Sequence, residues 1–485
     1  MLQLTLDFQK LMHTFDAFLD SCLTECSRKV PLDGKDAGMD ALFKLVFTKL
    51  SCKCSPRIGK LLSKLVVELL KKACSRDRAG KNDEGDREFF SECFVDSLDF
   101  YTRFNPSISA SDMLVSKSEV LEGICMTLSS TGSVSFPAKL IDPPHPTPLC
   151  TYSSSSLCFP FPQVIQHDRA SNKRLQFLVL KSSIDDFSAG VELGVQVHTS
   201  EDYHRVTDSF ESVVQQRLER LKMALEVNAV ISTVKFSNKV KMLANQMGME
   251  LFFCPNEDEV HRLCSAFGML AQGGYSCGAT SKEDAKMITS CGQFRVMSRG
   301  ATLILNIQAP CHTTGEAQKM TLQTILLCAP TPASCSQYTR LLNQSLKLVR
   351  SAVIECPMLH LAVVPGACFV EKRLLGHISD ALLEWESSAE GSLALGLGIF
   401  KEMVKGPLNA ASANILGHKK LLMVVDPNNR HTHALNLLNN CPGAGTKCVV
   451  SNPIDLGILH PACYYKQTYD SALQVVHQLL RLMPR

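Results

Sequence analysis

A few groups of residues in this chain have types and spacing that could do chemistry. The stretch "VVPGACFVE", residues 363–371, sets Gly366 behind Pro365 where a strand would pass into a helix, as in a phosphate-binding turn. Such a turn needs bare backbone, so that N–H groups can approach an anion. Here Ala367 and Cys368 follow the glycine, and each added Cβ restricts that approach. The stretch "GLGIF", residues 396–400, has two glycines but no third, which suits a packing turn better than a phosphate cradle. Cys52 and Cys54 form a C-x-C with no matching pair elsewhere, and His431 and His433 have no cysteine at finger spacing, so no metal is expected. No local nucleophile signature surrounds any of the 21 cysteines, which sets aside a cysteine hydrolase.

The elements that must position these residues fall into three stretches. Residues 2–27 have Leu4, Phe8, Leu11, Phe15, Phe18 and Leu19 at three- and four-residue spacing, predicting one helix with an apolar face. A second helix follows the turn residues Asp33 and Gly34. A third opens at Pro56 with Ile58, Leu61, Leu62, Leu65, Val66, Leu69 and Leu70 on one side. The polar insert of residues 75–88 reads as loop, and the Pro- and Ser-rich residues 128–163 as a boundary.

Beyond that boundary the pattern alternates. "RLQFLVLKS", "GVELGVQVH", "NAVIST" and "MELFFC" read as strands, and "NKVKMLANQMG" and "EDEVHRLCSAFG" as helices ended by Gly248 and Gly268. A helix starting near Tyr203 has Val206, Phe210, Val213, Val214, Leu218, Leu221 and Leu225 in phase. This is βαβ alternation around a parallel or mixed sheet. Two further strands, "GATLILNIQ" and "KMTLQTILLC", a helix over 334–352 and helix-rich sequence complete the chain.

Composition narrows the function classes. A net charge of +3 over 485 residues offers no basic face for nucleic acid, and one Trp with 7% aromatics offers little for base stacking. A hydrophobic content of 45% supports more than one core. No apolar run is long enough to span a membrane, and Asp7 and Lys10 interrupt what would be a leader's apolar core. The scattered cysteines fit a reducing cytosolic compartment, where most act as small buried hydrophobes.

The helical, then α/β, then helical layout resembles a group II chaperonin subunit, and local sequence carries the likeness. "LFKLVFTKLSCK", with Thr48, Leu50, Ser51 and Lys53, is similar to the family's A-x-T-S-L-x-S-K helix end. "GVELGVQVHTSEDYHRVTDSFESVV" through "MGMELFFCPNEDEVHRLCSAFGM" resembles the apical segment. "VVPGACFVE" stands where the family has V-P-G-G-G-A-x-E, and residues 457–482 resemble its closing helix. The wording around residues 20–75 resembles most the divergent vertebrate branch linked to McKusick–Kaufman and Bardet–Biedl syndromes.

That resemblance implies an α+β multidomain fold. It has a residual equatorial helix over 1–30, an intermediate domain over 31–135 with a loop at 75–90, and a linker over 136–165. An inserted α/β apical domain at 166–315, an intermediate return over 316–362 and a C-terminal equatorial domain over 363–485 follow. It also implies that further residues precede Met1 in a complete family member, and that apolar faces such as Leu4–Phe8–Leu11 are left exposed without them. The family hydrolyses ATP with a glycine-rich loop, a G-D-G-T-T segment and a distant aspartate. Neither G-D-G-T-T nor G-x-x-x-x-G-K-[ST] occurs here, and the aspartate position falls on Gln344. No Asp or Glu occurs from 318 to 354, so a shifted register does not restore a carboxylate.

Residual nucleotide contacts would fall on Gly366, Ala367 and His460, but no cofactor is expected, ATP being the sole candidate. Protein contacts would fall on Val206, Phe210, Val213, Val214 and Leu218, though an amphipathic helix also turns such residues into its own core. The implied function is a non-hydrolysing assembly factor for the BBSome, acting in ciliogenesis. Its implied partners are sister Bardet–Biedl chaperonin-like proteins, subunits of the cytosolic chaperonin CCT and BBSome subunits, at the centrosome and basal body. Two alternatives stand beside it: an ATP-dependent chaperonin subunit, and a stand-alone apical client-binding module.

Overall fold

The computed structural model describes residues 2–32, 36–74, 83–129, 165–166, 175–185, 196–271, 288–291, 293–300, 302–308, 321–356, 358–366, 368–386, 391–416, 434–435, 450–451 and 457–482. The chain divides into two units. One comprises Met1–Lys71, Asp77–Thr102 and Leu341–Arg485; the other comprises Lys72–Arg76 and Arg103–Arg340.

The first unit is helical around a small sheet. The helix Leu2–Cys26 turns Leu11, Phe15, Leu19 and Cys22 inward, as the heptad-like spacing requires. They meet Val370, Leu374 and Ile378 of the helix Phe369–Glu386, Leu397, Phe400 and Val404 of the helix Gly391–Leu416, and Tyr465, Tyr469 and Leu473 of the helix Ala462–Leu482. Phe15 is the centre of this core, with ring centroids 4.8 Å from Phe400 and 5.5 Å from Tyr469. Leu11 is therefore buried rather than exposed as expected, while the side chains of Leu4 and Phe8 lie outside the described residues. The "GLGIF" segment is not a turn: it lies inside Gly391–Leu416. The missing side chain of Gly396 is what admits Leu11, whose Cδ2 would stand 2.5 Å from a Cβ placed there.

The larger described sheet of this unit has Met358–Pro365 at its centre, and Ala434–Leu435 pairs separately with Val450–Ser451. Arg28–Pro31, Val353–Cys356 and Leu459–Pro461 all pair with it antiparallel. The helices Asp36–Ser51 and Pro56–Cys74 follow the sequence reading, the latter burying Leu62, Leu65, Val66, Leu69 and Leu70. The polar insert differs from expectation beyond residue 82: Asp83–Arg103 is a helix, in which Phe94, Leu98 and Tyr101 bury a face that composition alone conceals. Its remaining residues, 75–82, lie outside the described set.

The second unit carries the α/β alternation. Leu175–Leu180, Val227–Ser232 and Glu250–Phe253 form a parallel sheet, with Ile288–Cys291 added antiparallel at one edge. The helices Ser200–Glu219 and Asn238–Gln246 join successive parallel strands. Each begins on a side-chain cap: Thr199 accepts from the Asp202 amide and Ser237 from the Val240 amide. A π-helical stretch, Arg220–Ala224, extends the first. The helix Glu257–Phe267 ends at Gly268 in the left-handed region, as its sequence position predicts. Residues 196–198 are not in a strand; the rest of the expected "GVELGVQVH" strand, like most of residues 128–163, lies outside the described residues. Two further sheets complete the unit. One runs Ile124–Leu128, Thr302–Gln308, Gln293–Arg299, Ile165–Gln166; the other places Gln323–Cys328 between Ser107–Ala110 and Glu119–Glu122.

Candidate functional site

The Gly366 turn sits at the end of the central strand Met358–Pro365 and opens the helix Phe369–Glu386. Strand pairing sets Val364 opposite His460 and Pro365 opposite Leu459. That register brings the sequence-selected Gly366 and His460 together. A Cβ on Gly366 would lie 2.9 Å from Ile458 Cγ2 and 3.0 Å from His460 Cδ2 and Nε2. Glycine is needed here for close packing of the chain on itself. The Gly366 amide donates to the Ile458 carbonyl at 2.9 Å, so the N–H a phosphate would require is already bonded. Ala367 lies outside the described residues. Cys368 adopts a φ of 61°, a conformation costing a side-chain-bearing residue about 1–2 kcal/mol.

The groups around the turn are all driven toward their uncharged forms. Burial, and then Lys49, lowers the His460 pKa, and His460 Nδ1 lies 3.1 Å from the Tyr465 hydroxyl. Burial pushes the Cys368 thiol up to about 12, with Glu371 adding to it. Glu371 is raised by burial, and its Oε2 has no hydrogen-bond partner. Tyr465 is raised first by burial, then by Glu371 and Cys368.

The segment behind His460 is anchored by Thr48. Its hydroxyl donates to the Lys44 carbonyl at 2.8 Å and accepts from the Leu459 amide at 3.2 Å. Five residues on, Lys53 Nζ donates to Gln344 Oε1 at 2.6 Å. Gln344 belongs to the helix Pro332–Ala352, half-buried beside fully buried Ser345. Its carbonyl oxygen thus accepts one bond from a lysine. Nothing in the sequence pattern pointed to Lys53 as its partner, since 291 residues separate the two.

The residues selected for protein contact lie on Ser200–Glu219 and divide into two sets. Val214 and Leu218 are buried with Leu221, Leu178, Val230 and Val240, so they are core rather than contact surface. Helical periodicity could not separate them from the outer set, because both lie on one broad apolar stripe. Val206 is half-buried, while Phe210 and Val213 are 43% and 37% exposed. With Arg205 and Ser209 these three line an open groove of about 330 Å³. Tyr203, 61% exposed, precedes them on the same helix.

Among the described residues no group of three His, Cys, Asp or Glu side chains could hold a metal, and no helix is long and apolar enough to cross a membrane.

Comparison with known proteins gives one sequence family and one fold. The profile of the TCP-1/cpn60 chaperonin family matches residues 160–482. No curated protein matches the chain. Among solved structures, the chain is similar to the open-state monomer of a group II chaperonin from Methanococcoides burtonii. The TM-score is 0.58 at 14% identity, over 99% of this chain and 92% of that one.

Proposed function

The chain belongs to the TCP-1/cpn60 chaperonin family, and from that premise we propose that it is a non-hydrolysing chaperonin-like factor that assists BBSome assembly and ciliogenesis. The observation that carries the reading is the state of Gln344. By the sequence resemblance the position of the family's hydrolytic aspartate falls on Gln344, a neutral amide whose oxygen accepts from Lys53. An amide cannot take a proton from an attacking water, and the oxygen of this one already accepts from Lys53. The bonded amide of Gly366 and the burial of His460 support the same reading.

The factor acts through protein–protein contacts, for which the outer set Val206, Phe210 and Val213 supplies an apolar groove rimmed by Arg205. Its partners under this proposal are the sister Bardet–Biedl chaperonin-like proteins, CCT subunits and BBSome subunits, near the centrosome and basal body. The deciding experiment combines a phosphate-release assay with affinity purification from ciliated cells. Background phosphate release together with recovery of these partners is the expected result. Turnover that depends on Gln344, or a chain recovered without any chaperonin-like partner, overturns it.

A further inference from the structure

The helix Ser200–Glu219 enters the core only from Val214 onward, and none of residues 200–213 is buried. A helix presents no free strand edge, so a partner on this half must be received by side chains. The apolar ones keep a heptad spacing. Tyr203, Val206, Phe210 and Val213 follow at steps of three, four and three, the a and d positions of a coiled-coil seam about 15 Å long. Val206 is half-buried and the other three are exposed.

The groove on this face has the form of a coiled-coil hole. A knob side chain of one helix sits among four residues of the other, neighbours at i, i+3, i+4 and i+7. Val206, Ser209, Phe210 and Val213 have that spacing, and with Arg205 they line the groove of about 330 Å³. Ser209 is the small member, and its hydroxyl is turned to the Arg205 carbonyl at 2.8 Å. Charge is uneven around the helix. At about 100° per residue, Glu201, Asp208 and Glu211 fall on the side away from Val206. Lys239 bonds Glu211, and Asp202, nearer the seam, accepts from the Thr199 hydroxyl at 2.7 Å. Arg205 stands at the rim of the hole and forms no ion pair among the described residues.

Resting on the protein-contact role inferred above, we propose that this seam docks an amphipathic helix of a partner protein. A leucine-type side chain of that helix enters the hole, and a carboxylate beside it meets Arg205. An exposed seam of this spacing is what a facing helix covers with its own a and d residues. The free guanidinium sets the charge of the position flanking the knob, which gives the contact its register.

The test is fluorescence anisotropy with the full chain and a labelled peptide about three heptads long, with leucine at a and d and glutamate at e and g, whose like charges oppose its pairing with itself. Saturable binding is expected. The same peptide with its leucines scrambled out of phase should not bind. One with lysine at e and g should bind up to about fivefold more weakly, a preference that Arg205→Glu should reverse. Ser209→Phe fills the hole from an exposed position, so it should weaken binding about tenfold or more with the unfolding midpoint unchanged. Ser209→Ala should bind as the parent does. No binding, equal binding of the scrambled peptide, or full binding by Ser209→Phe overturns the proposal. So does a chain that sediments as a dimer and becomes a monomer on Ser209→Phe, for the seam then belongs to a second copy. Should Ser209→Phe not fold, the peptide series on the parent still decides. All of these outcomes are read apart from phosphate release and from recovery of chaperonin-like partners, which decide the underlying reading.

Discussion

Lys53 Nζ and Gln344 Oε1 lie 2.6 Å apart, joining the end of the Asp36–Ser51 helix to the helix Pro332–Ala352. The contact ties together two residues 291 positions apart in the chain. Gln344→Asp turns the hydrogen bond into an exposed ion pair, so stability should rise by no more than about 1 kcal/mol. Phosphate release should stay at background, because the Gly366 amide is still bonded to Ile458. Thermal denaturation and a coupled phosphate assay on the same variant check both halves.

Gly366→Ala tests the closure of the turn. The added methyl would enter between Ile458 and His460 at 2.9–3.0 Å, inside ordinary contact distance. Overpacking of this kind costs about 1–3 kcal/mol. A denaturant midpoint unchanged from the parent would show that the turn is open.

Thr48→Val keeps the shape and removes the hydroxyl that bridges Lys44 and Leu459. The Leu459 amide then loses its acceptor, at a cost of about 1–3 kcal/mol. Hydrogen exchange at Leu459 should quicken in the variant, and equal protection in both proteins would contradict the bridge.

His460 gives the fold a pH dependence with a definite sign. Its folded pKa lies below the unfolded value, so the unfolded chain binds the extra proton as pH falls. The stability it contributes is present above about pH 6.5 and is lost on acidification below it, at up to about 1.4 kcal/mol per pH unit. Glu371 is shifted the opposite way for an acid: its raised pKa favours the fold at low pH and withdraws that support as pH rises through the folded value. The acid limb that begins just below about pH 6.5 should therefore belong to His460 and flatten in His460→Gln. An unchanged limb in that variant refutes the assignment.

The two sets on Ser200–Glu219 separate by substitution. Leu218→Ala should destabilise by about 2–5 kcal/mol, as expected for a fully buried leucine. Val213→Asp should leave the unfolding midpoint nearly unchanged while weakening recovery of partner proteins. If Val213→Asp unfolds the chain instead, the groove is part of the core.

The sequence made helices and strands legible wherever one local rule sufficed. Periodicity marked Leu2–Cys26 and Pro56–Cys74, and glycine after an apolar run marked the end of Glu257–Phe267. It did not show that "GLGIF" continues a helix, because the reason is Leu11, a residue 385 positions away. It did not divide Val213 from Val214, since neighbours on one stripe differ only in which side a sheet lies. The identity of Gln344 was plain, but the partner that occupies its oxygen was not. Contacts of that range are set by the assembled fold and leave no trace in local spacing.

The sheet around Met358–Pro365 draws its strands from residues 28–31, 353–365 and 459–461. A chain made from its N-terminus emerges one end at a time, so Arg28–Pro31 leaves the ribosome long before either partner exists. The sheet closes only when residues 457–461 arrive and the Gly366 amide meets Ile458. High sequence separation of this order slows folding and prolongs the interval in which an unpaired edge is open to other chains. A member of a chaperonin family would itself spend the longest part of its synthesis with that edge unpaired.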